Sequence, residues 1–234
     1  MTAAPFDPDQ FDRLSTGSVP GYAALQDLVA HAAAALAPPA STVLDLGCGT
    51  GAGMLALARA LPDAHLIGCD PAPPMVAATR SRCEAAGVTA TVLVGGISAV
   101  AVDTRFDVIV CTLVLHFIPP DERVSFLAAI RARLRPGGAL VLGVLQRSQD
   151  EAAQAAWIQI RRHYALARGV TPAELAAREA ETRGKVYPLS SEELHDVLAR
   201  AGFAPAIPLY QLLAVHSWLV RDGSSTSSPT GVSP

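Results

Sequence analysis

Five near-continuous apolar runs, at residues 42–46, 65–69, 89–94, 106–112 and 139–145, alternate with segments of helical rhythm. Strands that are apolar on both faces need cover on both faces, and strands separated by helices lie parallel. Right-handed crossovers then wind the chain into a doubly wound sheet, with its ligand crevice at the carboxyl ends of the strands. The helices declare their ends: 52–61 halts at Pro62, 74–86 stops at Gly87, and 120–134 carries Asp121 and Glu122 in its first turn, where the helix dipole favours acids. Ahead of them, Ser18-Val-Pro-Gly opens a helix through Leu36, with Leu25, Leu28, Val29, Ala32 and Leu36 on one face and Pro38-Pro39 as its stop.

Residues 147–188 break the alternation. Helix 149–168 is followed by Thr171-Pro-Ala-Glu, a capping box that starts a second helix with no strand between the two. This pair reads as a helical insertion over the ligand side, where lids carry function. Ser190-Ser-Glu-Glu starts another helix that ends at Gly202, and two last strands, 205–210 and 212–220, are joined too tightly for a parallel crossover. The expected fold is therefore α/β: a doubly wound, seven-stranded, mostly parallel sheet with a helical insertion and an antiparallel last strand. It forms a single domain over 1–222, with helix 18–37 over the site, a lid at 147–188 and a disordered Ser/Thr/Gly/Pro tail at 223–234.

Half of the 234 residues are hydrophobic, enough for a sizeable core, and the net charge of -3 gives no basic footprint for nucleic acid. The first residues lack the basic and apolar regions of a signal peptide, and no apolar stretch approaches the ~18 residues of a membrane span. Cys48, Cys69, Cys83 and Cys111 show no close pairing, and no His-x-x-x-His pair points to a metal. These features describe a reduced, cytoplasmic protein without a metal centre.

The first strand runs into Gly47-Cys-Gly-Thr-Gly-Ala, and the second ends on Asp70. Glycines let a backbone approach a ligand closely, and an acid at the end of the next strand suits the hydroxyls of a ribose. The glycine run fits the loose pattern of nicotinamide dinucleotide sites. Three features turn the argument away from a dinucleotide. Asp45, two residues before the first glycine, sits badly beside a pyrophosphate and well beside a cationic amino group. The closing antiparallel pair is the second, and Arg135-Pro-Gly-Gly before the fifth strand is the third.

Val43-Leu-Asp-Leu-Gly-Cys-Gly-Thr-Gly, Asp70, Phe106-Asp-Val-Ile-Val and Leu134-Arg-Pro-Gly-Gly-Ala-Leu, in that order, resemble the class I S-adenosylmethionine-dependent methyltransferases over residues 20–220. The resemblance implies that S-adenosyl-L-methionine is the cofactor and S-adenosyl-L-homocysteine the product. It implies that Gly47, Cys48 and Gly49 wrap the methionine part, Asp45 meets its amino group, and Asp70 grips the ribose. Pro71 and Met75 would cover the adenine, and Cys111 would offer its carbonyl to the amino group. After the third strand the family carries an acid for the adenine amino group; here Gly96 stands in its place, leaving Ile97 to contact the ring by packing.

A narrower likeness rests on Ser18-Val-Pro-Gly-Tyr, Leu115-His-Phe-Ile-Pro-Pro-Asp-Glu-Arg and the helical insertion. These are similar to carboxy-S-adenosylmethionine synthase, which builds a carboxylated cofactor for wobble-uridine modification of tRNA. Tyr22 matches that group's cofactor-contacting tyrosine. An insertion arginine of that group pairs with the extra carboxylate. Counting back without gaps from Ala201-Gly-Phe puts Glu179 at its position, with Arg178 about 100° away on a helix. The expectation is a relative that keeps the scaffold and methylates a small-molecule acceptor at oxygen, nitrogen or activated carbon. A synthase of carboxylated cofactor and a non-catalytic cofactor-binding protein are the alternatives, and the resemblance implies a homodimer.

Methyl transfer needs positioning and exclusion of water, and a base only where the acceptor loses a proton. His116, just past the fourth strand, reads either as that base or as packing for its loop. His163 on the insertion helix is a second candidate, with Arg162 beside it for an acidic substrate. Tyr22, Trp157 and Tyr187 are candidates for a substrate pocket, while Tyr210 and His216 read as packing.

Overall fold

The computed structural model describes residues 7–223. The apolar runs form β1 (Thr42–Leu46), β2 (His65–Asp70), β3 (Ala90–Val94), β4 (Phe106–Thr112) and β5 (Leu134–Leu145), followed by β6 (Ile207–Leu212) and β7 (Val215–Arg221). They build one seven-stranded sheet in the order β3-β2-β1-β4-β5-β7-β6. The first five pair in parallel, and β7 lies antiparallel between β5 and β6. The helices are α1 (Pro8–Ser18), α2 (Tyr22–Leu36), α3 (Ala52–Ala60), α4 (Pro73–Ala85), α5 (Arg123–Arg131), α6 (Glu151–Ala167), α7 (Pro172–Thr182) and α8 (Ser191–Arg200).

The strand side chains alternate between two cores, which is why the runs are apolar throughout. Val43, Val108, Val110 and Val141 pack with Leu25, Val29, Met54, Leu57 and Val76 under α2, α3 and α4. Leu44, Ile109, Cys111, Leu140 and Leu142 pack with Leu127, Ile130, Leu194 and Leu198 under α5 and α8. Asp45 falls on the first of these faces by the same period of two, so its carboxylate points toward α2 and α3.

Three boundaries differ from the sequence reading. The helix expected from Ser18 starts at Tyr22, because Pro20 and a left-handed Gly21 (φ 73°) separate it from α1, which the sequence did not announce. Arg135-Pro-Gly-Gly is not a turn ahead of β5 but a bulge within it: Phe106 pairs with Leu134 and Val108 with Ala139. α5 begins at Arg123, so Glu122 is its N-cap and Asp121 lies before it. Residues 115–122 are spent instead on a 3-10 turn (Leu115–Phe117) and a loop that Arg123 holds. The expected tail, Gly223 apart, lies outside the described residues, as do the first six. Among the described residues no helix is long and apolar enough to cross a membrane.

Candidate functional site

β1 and β4 stay paired only as far as Asp45 and Val110. The strand order reverses at this pair, so the crevice at the end of the parallel sheet opens here. Cys111, one residue beyond that pair, is fully buried in the core on the α5–α8 side.

The glycine loop is pinned across the mouth of that crevice. Gly47 N–H and Cys48 N–H both donate to the Cys69 carbonyl, at 2.7 and 3.0 Å, tying the loop to β2. Gly47 has φ 82°, and a Cβ there would stand 2.3 Å from Val114 Cγ2, so only glycine fits. The Cys48 side chain is buried, with Thr79 Oγ1 3.9 Å from its sulfur, and burial pushes the thiol's pKa well up. It packs as a small hydrophobe.

Asp70 locks the other side. One carboxylate oxygen accepts from Gly49 N–H at 3.0 Å and the other from Ala72 N–H at 2.9 Å. Two oxygens offer about four acceptor sites, so two remain for the hydroxyls of a ribose. Burial raises the pKa of Asp70, and these two bonds pull it back. Met75 is buried at the start of α4, with Pro71 exposed beside it. Gly96 is exposed, with nothing within 4 Å of where a Cβ would sit, so the missing acid leaves open space. Ile97 follows in a 3-10 turn and packs against the core.

Asp45 is 3% exposed, and its Oδ2 has no hydrogen-bond partner. Burial first, then the Asp70 charge, pushes its pKa up to about 7. A Cβ on Gly53 would stand 2.8 Å from this oxygen and 3.1 Å from Gln26 Oε1, so the glycine makes room for both acceptors. Two converging acceptors, one of them orphaned, suit an ammonium group. Tyr22 opens α2 and bonds to Gln26; burial and the charges of Asp12 and Asp45 raise its pKa to about 12.

Sequence reasoning missed α1. Asp12 on this helix accepts from Thr50 Oγ1 at 2.5 Å and pairs with Arg82 of α4, so α1 straps the glycine loop. Asp7 as N-cap, with Pro8 and Asp9 in the first turn, were its local signals.

The insertion forms α6 and α7, but its side chains turn differently from expectation. His163 and Arg162 are exposed, on the outside of α6. Trp157 is half-buried, its ring 6.2 Å from that of His216 at the start of β7. Glu179 is exposed, whereas the half-buried Arg178 lies within electrostatic reach of Tyr22, Arg161 and His116. Arg178 is thus the more inward of the two, although gapless counting puts Glu179 at the place of that group's arginine. Leu175 anchors α7 inward. Positions 178 and 179 lie about 60° and 40° from it around a helix, so periodicity does not separate them.

His116 is 6% exposed in the turn after β4, and its Nδ1 is buried without a partner. Burial, then the charges of Arg123 and Arg178, lower its pKa to about 3, so the ring is neutral. Tyr187 N–H donates to the His116 carbonyl at 2.7 Å, while its hydroxyl donates to the Gly184 carbonyl at 2.7 Å. Tyr210 packs over Gly21, in line with a structural role.

Comparison with known proteins agrees with this geometry. Residues 43–138 match the family described as a methyltransferase domain. A carboxy-S-adenosyl-L-methionine synthase of Pseudomonas syringae pv. tomato is 31% identical over 214 residues, covering 88% of this chain and 85% of that protein. The synthase of Geobacter metallireducens is 31% identical over 202 residues, covering 84% and 81%. In fold, the magnesium protoporphyrin IX methyltransferase of Synechocystis, solved with bound S-adenosylhomocysteine, superposes with a TM-score of 0.63 at 16% identity. That match covers 94% of this chain and 90% of the other. The orphaned Asp45 oxygen, the Gly47 cradle and the spare acceptors of Asp70 fit S-adenosylmethionine. The chain belongs to the class I S-adenosylmethionine-dependent methyltransferases, within the carboxy-S-adenosylmethionine synthase-like group.

Proposed function

We propose that this protein is a carboxy-S-adenosylmethionine synthase-type enzyme, acting on S-adenosylmethionine and a small carboxylate-bearing co-substrate. The observation that carries the reading is the half-buried guanidinium of Arg178 beside Tyr22 and His116. Arg161 adds a second cation nearby. Glu181 acts on Arg178 from beyond ion-pair distance, and a desolvated guanidinium in no ion pair among the described residues attracts a carboxylate that its fork geometry matches.

The cofactor supplies a sulfonium-activated carbon. Asp45 and Gln26 receive its ammonium group, and Asp70 receives the ribose hydroxyls. The backbone of Gly47, Cys48 and Gly49 lines the methionine part. Arg178 takes the carboxylate, while Tyr22 closes that end of the pocket. α6, α7 and α1 exclude water, which strengthens each of these charge contacts.

Ordinary methyl transfer to a small-molecule acceptor is the second reading, favoured by the open space at Gly96, where a tighter adenine grip is lacking. Mass spectrometry of the small molecule that copurifies with the protein separates the two. An ion one carboxyl group heavier than S-adenosylmethionine supports the synthase, and S-adenosylmethionine or S-adenosylhomocysteine alone supports methyl transfer. Tight cofactor binding with no turnover in any cell extract would point instead to a non-catalytic binding protein.

A further inference from the structure

Arg123 has no place yet in the chemistry, although it is the most deeply buried of the charged side chains apart from Asp45. It opens α5 at 5% exposure. Its Nε donates to the Ile118 carbonyl at 3.1 Å, and its Nη2 donates to the Tyr187 carbonyl. Among the described residues it forms no ion pair. Glu193 of α8 acts on it only from a distance, being bonded to Arg147 and to the backbone of Ser190. An uncompensated buried cation is expensive, and an apolar side chain would pack there more cheaply.

The bonds of Arg123 converge on one place. Ile118 immediately follows the 3-10 turn that carries His116, and Tyr187 N–H in turn holds the His116 carbonyl. One guanidinium therefore staples the turn after β4 to the segment by which the insertion returns to the sheet. The turn so held carries the unpartnered Nδ1 of His116, and the charge of Arg178 reaches that ring.

We propose that Arg123 is a positioning residue for the anion end of the site: it pins the His116 turn so that His116 and Arg178 receive one carboxylate together. This rests on the synthase reading for the identity of the anion. The charged groups acting on His116 are Arg123 from α5 and Arg178 from α7, both positive. Burial first, and then these two charges, keep the imidazole neutral, and a neutral imidazole has one N–H to donate to a carboxylate oxygen. With its basicity this weakened, His116 serves as a hydrogen-bond donor and not as a proton acceptor at neutral pH.

The test uses the full chain with Arg123→Gln and Arg123→Lys, read by nitrogen NMR of the His116 ring, assigned with His116→Asn. Titration calorimetry with carboxy-S-adenosylmethionine and with S-adenosylmethionine supplies the second readout. In the glutamine variant the His116 midpoint should rise by about one pH unit, since a nearby positive charge is gone. Affinity for the carboxylated cofactor should fall about tenfold, and for S-adenosylmethionine less than about twofold. Lysine, which keeps the charge but not both carbonyl bonds, should hold the midpoint low while still losing preference for the carboxylated form. An unchanged midpoint in the glutamine variant, or equal weakening of both cofactors, overturns the proposal. If the glutamine variant does not fold, the lysine variant decides: wild-type preference overturns the proposal and reduced preference supports it. If the wild type itself shows no preference for the carboxylated form, the synthase reading fails, and the His116 midpoint still decides whether Arg123 acts on that ring.

Discussion

Asp12 accepts a hydrogen bond from Thr50 Oγ1 at 2.5 Å, fastening the first helix to the glycine loop. The same helix packs Leu14 against Ala165, Val170 and Leu175 of the insertion, and Arg13 pairs with Glu174. One element therefore touches both the glycine loop and the helical insertion. Asp12→Ala removes the Thr50 bond and the Arg82 pair together, a loss of about 1–3 kcal/mol at this strap. Cofactor dissociation followed by stopped flow should accelerate about tenfold or more, at the factor of ten per 1.4 kcal/mol that such a loss implies. Arg13→Ala, which breaks only an exposed pair, should change it little. Equal dissociation rates in wild type and Asp12→Ala would show that α1 does not gate the site.

Asp70 carries two duties, and they separate by measurement. Its oxygens hold Gly49 and Ala72 N–H groups, so Asp70→Ala loosens the loop even without cofactor. Each such charge-assisted bond contributes about 1.5–3 kcal/mol. The melting temperature of the cofactor-free protein should fall, and cofactor affinity by calorimetry should fall further than that loosening alone accounts for. A variant destabilised without loss of affinity would mean that the ribose sits elsewhere.

Asp45 predicts a pH dependence with a definite sign. Its pKa rises from 3.8 to about 7 on folding, so the folded chain binds more protons than the unfolded chain between those values. The contribution of Asp45 to the stability of the cofactor-free protein therefore falls as pH climbs through that window. Denaturant unfolding of wild type and Asp45→Asn at pH 5 and pH 8 checks this: from the lower to the higher pH the wild type should lose more stability, or gain less, than the variant. Asp70, also raised, adds to the fall, while His116 and His216, both lowered by burial, oppose it in the two proteins alike. Cofactor affinity should run the other way and strengthen as pH rises through about 7, because the ammonium needs the ionised carboxylate.

The glycine loop and the two acids that flank it were legible because their placement depends on backbone and period. A glycine that alone fits against Val114, an acid at the end of β2, and Asp45 on the α2–α3 face all follow from position in a strand or turn. α1 was not legible: Phe11 and Leu14 give it a thin apolar face, and it is held by ion pairs to residues distant in sequence. The bulge in β5 was hidden by the turn chemistry of Pro136 and Gly137, which pairing with β4 overrides. In the insertion, Arg162 and His163 were candidates by residue type and Glu179 was placed by gapless counting, but which face of a mostly exposed helix turns inward is a tertiary decision.

Arg178 and Glu179 make that decision testable. Both are polar, adjacent and on a helix with Leu175 as its buried residue, yet only Arg178 lies near Tyr22 and His116. Arg178→Ala should cost about 1.5–3 kcal/mol of interaction with a bound carboxylate, or roughly 10- to 100-fold in affinity for the carboxylated cofactor. S-adenosylmethionine, which lacks that group, should bind the variant as well or better, since removing one of two neighbouring cations relieves repulsion with Arg161. Glu179→Ala should leave both affinities near wild type. Arg178→Lys keeps the charge but loses the two-pronged contact, so its affinity should fall between the two. Calorimetry of the three variants against both cofactors gives six numbers, and a loss at Glu179 matching that at Arg178 would mean that α7 turns its other side to the ligand.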